Sequence, residues 1–272
     1  MLNHPAIDPI AISLGPLQIH WYGISYLLAF ATAWYLARRN ARRPWSPLGE
    51  NQVEDLVVCG AWGVIAGGRL GYMFFYNTDK WLADPAMLLR IWEGGMSFHG
   101  GLIGVAIAIF IYARKHRVSF LTLTDFAVPL VPTGLFFGRM GNFIGQELYG
   151  RPTDVPWGML FPSDPTQLPR HPSQLYEALL EGLVLFLIIS WFARKPRLAG
   201  EITGLFLVLY GCFRFMVEFV REPDAQFAGQ TAMIESLNWM TRGQALCIPM
   251  VLLGLWFMRK TMQRLMAKSA TN

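Results

Sequence analysis

The sequence predicts an all-α, polytopic membrane protein with about seven transmembrane helices. Three observations predict this class. The chain of 272 residues is 53% hydrophobic and only 15% charged, whereas a soluble domain carries roughly 25% charged residues. It contains several apolar stretches of about 20 residues, the length at which a helix crosses the hydrocarbon core. Its basic residues collect in alternate connections, as they do in proteins that cross a membrane repeatedly.

The apolar stretches define the predicted spans. They lie near residues 20–38, 54–77, 97–113, 121–140, 173–193, 201–220 and 243–259. Glycines interrupt the second span, but the spacing of Gly63, Gly67 and Gly71 predicts a flat face on which another helix packs closely. We therefore expect a single integral membrane domain over residues 1–272.

Lys and Arg predict the orientation of these spans. Basic clusters follow spans one, three, five and seven, whereas the other connections contain fewer basic residues. Because cytoplasmic connections collect Lys and Arg, the N-terminus is predicted outside and the C-terminus in the cytoplasm. The connections near 78–96, 141–172 and 221–242 then form a small extracytoplasmic lid region. No Lys or Arg precedes Arg38, so no cleaved signal peptide is expected.

Three arginines fall inside the predicted spans: Arg69, Arg139 and Arg214. An arginine at membrane depth costs several kcal/mol unless it is paired or hydrated. The predicted orientation places all three toward the outer leaflet. Each is either locked structurally to a carboxylate or to backbone carbonyls, or available to bind an anion. Glu218 follows Arg214 by four residues, a spacing that predicts an ion pair on one helix face.

Other polar residues lie at the same predicted depth. His20 and Tyr22 open span one, His99 opens span three, and Asn142 and Glu147 follow span four. The planar fork of arginine matches phosphate geometry, and a neutral histidine can act as a base. The pattern therefore favours group transfer from a phospholipid to a separate acceptor.

The chain offers no nucleophile of its own. It has no G-x-S-x-G turn, and neither Cys212 nor Cys247 has an adjacent base. Metal-ligand spacings, phosphate-binding loops and dinucleotide motifs are also missing from the sequence, so neither a metal nor a cofactor is expected.

A transporter of an anionic amphiphile is the alternative. Transport needs a polar path that reaches both faces of the membrane. The inner halves of the predicted spans contain few charges beyond Glu54, Asp55 and Asp125 near their ends. This pattern disfavours transport but leaves it open.

Several longer motifs resemble those of one family. The central run is GRMGNFIGQELYG at residues 138–150. It is accompanied by HWYG at 20–23, GGMSFHGG around His99, RHPSQLYE at 170–177 and YGCFR at 210–214. Together these motifs resemble the prolipoprotein diacylglyceryl transferases over about residues 8–258. The family usually has Asn where this chain has Gly145, so this chain offers no side-chain amide at that position.

The resemblance implies an enzyme of the bacterial cytoplasmic (inner) membrane whose active site faces the outer leaflet. Its substrates would be phosphatidylglycerol and the lipobox cysteine of a preprolipoprotein signal segment. The sn-1,2-diacylglyceryl group would move onto the cysteine thiol, glycerol phosphate would be released, and no nucleic acid would take part.

The resemblance also assigns residues by motif position. Arg139 and Arg214 would hold the lipid phosphate, and His99 would be the leading candidate for the base, with an orienting role as the alternative. The remaining substrate-binding residues, with His20 added from its place at the outer end of span one, are expected to be His20, Tyr22, Asn142, Glu147, Gly150, Tyr210 and Glu218.

Overall fold

The computed structural model describes residues 1–15, 17–90, 94–222 and 240–269 and is predominantly helical. It contains two compact units. The first unit consists of Met1–Leu36 and Ala127–Asn272, and the second of Ala37–Phe126. The organisation as one domain therefore stays a prediction.

The helices account for most of the described chain. Their bounds are α1 Trp21–Ala41, α2 Glu50–Tyr76, α3 Thr78–Ala83, α4 Phe98–His116, α5 Phe120–Ala127, α6 Val131–Ile144, α7 Ser173–Glu177, α8 Leu185–Phe192, α9 Glu201–Val217 and α10 Arg242–Ser269. A 3-10 turn over Val128–Leu130 joins α5 to α6, and a π-helical segment over Ala178–Val184 joins α7 to α8. The short strands are β1 Leu2–Asn3, β2 Ile10–Leu14, β3 Leu17–His20 and β4 Met159–Leu160.

Each of the seven predicted spans coincides with a helical stretch. Among the described residues, four such stretches are long and apolar enough to cross a membrane: Glu50–Tyr76, Phe98–His116, Phe120–Ile144 and Ser173–Phe192. Helices α1, α9 and α10 occupy the other three predicted spans. The chain is thus a membrane protein, whereas the count of seven crossings stays a prediction.

Two boundaries differ from the sequence prediction. His20 does not open a helix, because it ends β3 and pairs with Ile10 of β2 in an antiparallel hairpin. The alternating β-branched residues of this short segment favour a strand, and the search for long apolar stretches missed it. Asn142 does not follow span four, because α6 continues through Phe143 to Ile144.

The predicted outer connections also differ. The connection near 78–96 contains α3 and a 3-10 helix over Pro85–Leu89. Most of the connection near 221–242 lies outside the described residues, which exclude 223–239.

Glycines bring α2 and α4 of the second unit into close contact. A Cβ atom on Gly67 would overlap the carbonyl oxygen of Gly100, and one on Gly104 would overlap that of Gly63. The backbones approach as closely as small residues permit in membrane helix pairs. The flat face predicted from the glycine spacing on α2 is therefore confirmed.

Arg69, on α2, is buried and bonded to the backbone of the second unit. Its side chain is hydrogen bonded to the carbonyl oxygens of five residues that precede α4: Met87, Leu88, Arg90, Gly94 and Gly95. This pattern matches the structural alternative considered for the arginines inside spans. Arg69 fixes the segment that leads into α4.

Replacing Arg69 by alanine is expected to destabilise the protein by about 3 kcal/mol or more, because five backbone carbonyl groups lose a charged donor from a buried side chain. Thermal unfolding in detergent measures the loss. Arg69→Lys is the matched control; it keeps the charge but not the planar set of donors, so only part of the stability should return. An unchanged melting temperature for Arg69→Ala would contradict this role.

A buried arginine also organises the loop between α6 and α7. Arg170 Nε donates to Asp164 Oδ2 at 2.7 Å, and Arg170 Nη2 donates to Thr166 Oγ1 at 3.1 Å. The same guanidinium pairs with Glu222 and lies 5.2 Å from the ring centroid of Tyr149. These contacts connect the loop to the chain that follows α9.

The Asp164 carboxyl should make the stability of the protein sensitive to acid. Burial raises its pKa, but hydrogen bonds from Arg170 and Thr166 outweigh burial and hold the pKa below the usual value of 3.8. A lowered folded-state pKa contributes stability above the unfolded-state value, and this stability is lost as the pH falls through the folded-state value. Unfolding scans of the native chain should show this loss of stability below about pH 4. In the Asp164→Asn variant, the part of the acid sensitivity that Asp164 causes should be missing. Identical pH profiles for the two proteins would contradict the assignment.

Candidate active site

Six charged side chains of the first unit lie together in its interior. We call them the arginine–glutamate cluster: Arg139, Glu177, Glu181, Arg214, Glu218 and Arg221. They come from α6, α7, the π-helical segment, α9 and the turn that follows α9. The cluster combines three positive and three negative formal charges. Because buried ion pairs add little net stability, their concentration in an apolar protein points to function.

Glu177 lies at the centre of the cluster and is fully buried. Its Oε2 atom lies 2.6 Å from Arg139 Nη2 and 3.2 Å from Arg214 Nη1. Its Oε1 atom lies 3.8 Å from Arg221 Nε. One carboxylate oxygen is therefore shared by the two arginines, whose contacting nitrogens lie less than about 6 Å apart. Glu177 thus holds two guanidinium groups close together in the first unit.

Arg214 is paired on the opposite side by Glu218. Arg214 Nη2 lies 2.8 Å from Glu218 Oε2, which confirms the ion pair predicted from the sequence spacing. Glu218 Oε1 accepts a hydrogen bond of 3.0 Å from Thr241 Oγ1. Thr241 and Gln244 form a reciprocal cap at the start of α10, with bonds of 3.0 and 3.2 Å. The carboxylate is thereby fixed at a helix N-terminus, which favours negative charge.

Arg139 is oriented by a chain of polar side chains. Arg139 Nη1 donates to Asn142 Oδ1 at 3.2 Å, and Asn142 Nδ2 donates to Glu147 Oε2 at 3.3 Å. Asn142 is buried and lies within α6, beyond the end of the predicted span. The structure therefore joins three residues that the family motif assigned to the site.

Two other expected site residues, Tyr22 and Tyr210, lie on helices of the first unit. Tyr22 on α1 lies against α6, where a Cβ atom on Gly141 would be 3.2 Å from Tyr22 Cδ2. Tyr210 precedes Arg214 by one turn of α9 and packs against the buried apolar cluster of Leu185, Ile189, Ala193 and Ile202.

Gly150 has a backbone role. Its amide donates to the His171 carbonyl at 2.8 Å, and a Cβ atom there would overlap the carbonyl oxygen of Val220. This close approach requires glycine.

His20 lies apart from the cluster, and the relation of His99 to the cluster stays a prediction. His20 is exposed at the end of β3, and among the described residues no hydrogen bond or ion pair joins it to the cluster. His99 is the second residue of α4, with an exposed ring. Because α4 belongs to the second unit, the position of His99 at the arginines stays a prediction.

Sequence reasoning missed three members of the cluster. Glu177 appeared only within a motif, Glu181 was not considered, and Arg221 was assigned to an outer connection. The signal was present, because Glu177 and Glu181 are four residues apart within an apolar span and two carboxylates at that depth require cationic partners. Glu181 lies in the π-helical segment, a geometry that often occurs at functional sites.

The apolar helices and the arginine–glutamate cluster define an integral membrane protein whose first unit holds a group of paired arginine and glutamate side chains. The family model for prolipoprotein diacylglyceryl transferase matches residues 9–260. The chain belongs to this family and is a transferase.

Curated relatives match almost the full length. A protein of Methylococcus capsulatus is 56% identical over 258 residues, which cover 94% of this chain and 95% of the relative. Proteins of Ectopseudomonas mendocina and Acinetobacter baylyi are 54% and 52% identical and cover 94% and 97% of this chain, and 94% and 96% of their own length. All three are named phosphatidylglycerol–prolipoprotein diacylglyceryl transferase.

Proposed function

We propose that the arginine–glutamate cluster holds the phosphate of phosphatidylglycerol while its diacylglyceryl group is transferred. The chain carries out the transfer from phosphatidylglycerol to prolipoprotein that begins lipoprotein maturation. The observation that carries the site assignment is the single Glu177 oxygen shared by Arg139 and Arg214. It marks a point from which two guanidinium groups reach one anion.

The arginines keep donors for such an anion. Within the described residues, the Nε atoms of Arg139 and Arg214 make no hydrogen bond, whereas their terminal nitrogens are bound by Glu177, Glu218 and Asn142. The carboxylates therefore orient the guanidinium groups without using every donor. Donors that are already oriented stabilise developing negative charge without reorganisation at the moment of reaction.

The proposed reaction is a displacement at carbon. The sulfur of the acceptor cysteine forms a bond to the terminal glycerol carbon of the diacylglyceryl group, and the bond from that carbon to the phosphate oxygen breaks. Glycerol phosphate leaves with the electron pair, and Arg139 and Arg214 stabilise its charge. A free thiol is only a few per cent ionised at neutral pH, so a base is needed for its proton. We assign this role to His99.

The same proposal includes the topology. The chain crosses the bacterial cytoplasmic membrane seven times, with the N-terminus outside, the C-terminus in the cytoplasm and the site facing the outer leaflet. The distribution of Lys and Arg supports this topology. The acyl chains of the donor and the hydrophobic signal segment of the acceptor both remain in the membrane. Both substrates therefore reach the site sideways from lipid. Transport of an anionic amphiphile is not favoured, because the relatives are named transferases.

Mass spectrometry of a model acceptor tests the function. Purified protein is incubated with phosphatidylglycerol and a peptide that contains a lipobox cysteine, and the peptide should gain the mass of one diacylglyceryl group. Matched controls replace the cysteine by serine or the lipid by phosphatidylcholine, and neither should yield product. An unmodified cysteine peptide, or equal modification of the serine peptide, would contradict the proposal.

A further inference from the structure

The turn that carries Glu147 has an unfavourable backbone. Gln146 and Leu148, on either side of Glu147, have φ angles of 55° and 57°. These values lie in the left-handed region, which residues with a Cβ atom rarely adopt. Such a turn persists only where the surrounding structure holds it.

Two side chains at the start of α7 hold this turn. Gln174 Nε2 donates to the carbonyl oxygen of Glu147 at 2.7 Å, and Ser173 Oγ donates to that of Leu148 at 3.0 Å. Both Ser173 and Gln174 are fully buried. Their bonds are therefore shielded from competing water, and the Gln174 bond fixes the residue whose side chain reaches Asn142.

The contacts form a closed ring. From Glu147 the ring runs through Asn142 to Arg139 by bonds of 3.3 and 3.2 Å. It continues from Arg139 to Glu177 at 2.6 Å. Glu177 and Gln174 lie three residues apart on α7, so one short helix both binds Arg139 directly and holds the turn that orients it from the other side.

We propose that Gln174 is a positioning residue that keeps Arg139 aimed at the lipid phosphate by holding Glu147 in its left-handed turn. This inference rests on the proposed function of Arg139. Without the Gln174 amide the turn relaxes toward an ordinary conformation, the Glu147 side chain leaves Asn142, and Arg139 loses one of its two orienting contacts.

Substitutions at Gln174 separate the hydrogen bond from packing. Gln174→Met conserves much of the side-chain volume but removes the donor, and it should lower kcat about tenfold or more with a smaller change in KM. Gln174→Glu presents an acceptor to the Glu147 carbonyl and should be at least as impaired. Gln52→Ala is the control, because Gln52 caps α2 and contacts His116 in the second unit; its activity per folded molecule should be unchanged.

Rescue distinguishes positioning from general structural damage. Leu148→Gly removes the Cβ atom that makes the left-handed conformation unfavourable. In the Gln174→Met protein it should restore kcat by about fivefold or more, because the turn then needs less support. A Gln174→Met enzyme with native kcat, or an impaired one that Leu148→Gly does not improve, would overturn the proposal.

A double-mutant cycle separates this inference from the assignment of Arg139. Gln174→Met is combined with Arg139→Lys, and the assay uses enough enzyme to measure the residual turnover of the Arg139→Lys protein. If Gln174 acts through Arg139, the effect of Gln174→Met should be much smaller in the Arg139→Lys background. Additive effects would refute the positioning role while leaving Arg139 essential. Native activity of Arg139→Lys and Arg139→Gln would instead refute the phosphate assignment.

Discussion

Replacing Arg214 by glutamine is expected to lower kcat/KM for diacylglyceryl transfer by about 10³-fold or more, because a donor aimed at the leaving phosphate is lost. Arg214 is paired with three carboxylates of the cluster: Glu177 at 3.2 Å, Glu181 at 3.8 Å and Glu218 at 2.8 Å. Its removal deletes a charge at the proposed phosphate site and leaves the three buried carboxylates of the cluster with one cation fewer. The rate of product formation, measured by mass spectrometry of the acceptor peptide, reports the effect.

The lysine variant sharpens this test. Arg214→Lys keeps the positive charge but replaces a planar fork by a point charge, so it should remain strongly impaired. Arg139→Gln and Arg139→Lys should behave in the same way, because Arg139 shares the Glu177 oxygen. Protein yield after membrane extraction and the melting temperature show whether each variant is folded. Native turnover by a folded Arg214→Gln protein would contradict the phosphate site.

Replacing His99 by alanine should reduce activity about 10²–10⁴-fold at neutral pH, the usual contribution of a general base. Raising the pH should return part of the activity, because the ionised fraction of a thiol rises from a few per cent at pH 7 to more than half at pH 9. Transfer rates of native and variant enzymes between these values measure the rescue.

A second histidine on α4 provides the control. His116 stacks on Tyr112 at the other end of the helix, and His116→Ala should retain activity at both pH values. Loss of activity in His99→Ala without rescue at high pH would assign His99 to binding or orientation. Native activity of His99→Ala at pH 7 would contradict every role in the reaction.

The helices could be predicted from the sequence because an apolar stretch of about 20 residues has few alternatives to a membrane helix. The glycine face of α2 could also be predicted, because it follows from the spacing of glycines along one helix and does not depend on distant residues. The hairpin of β2 and β3 was missed because each strand is too short to give a strong pattern. The extension of α6 past Asn142 was missed because hydropathy counts a polar amide as the end of an apolar span. In the structure the Asn142 amide is buried and hydrogen bonded to Arg139 and Glu147.

The cluster was only partly predictable for a different reason. The pair of Arg214 and Glu218 depends on local helix geometry, so the spacing revealed it. The shared position of Glu177 depends on the packing of α7 against both α6 and α9, which no local pattern specifies. The partners of Arg69 could not be predicted from charge either, because they are backbone carbonyls of the segment before α4 and not carboxylates.

A structure of the protein with bound phosphatidylglycerol would test the phosphate site itself. We expect oxygens of the lipid phosphate to accept hydrogen bonds from both Arg139 and Arg214 at about 2.7–2.9 Å, with Glu177 and Glu218 still orienting the guanidinium groups. A lipid phosphate held by other residues, with neither Arg139 nor Arg214 in contact with it, would rule out this site.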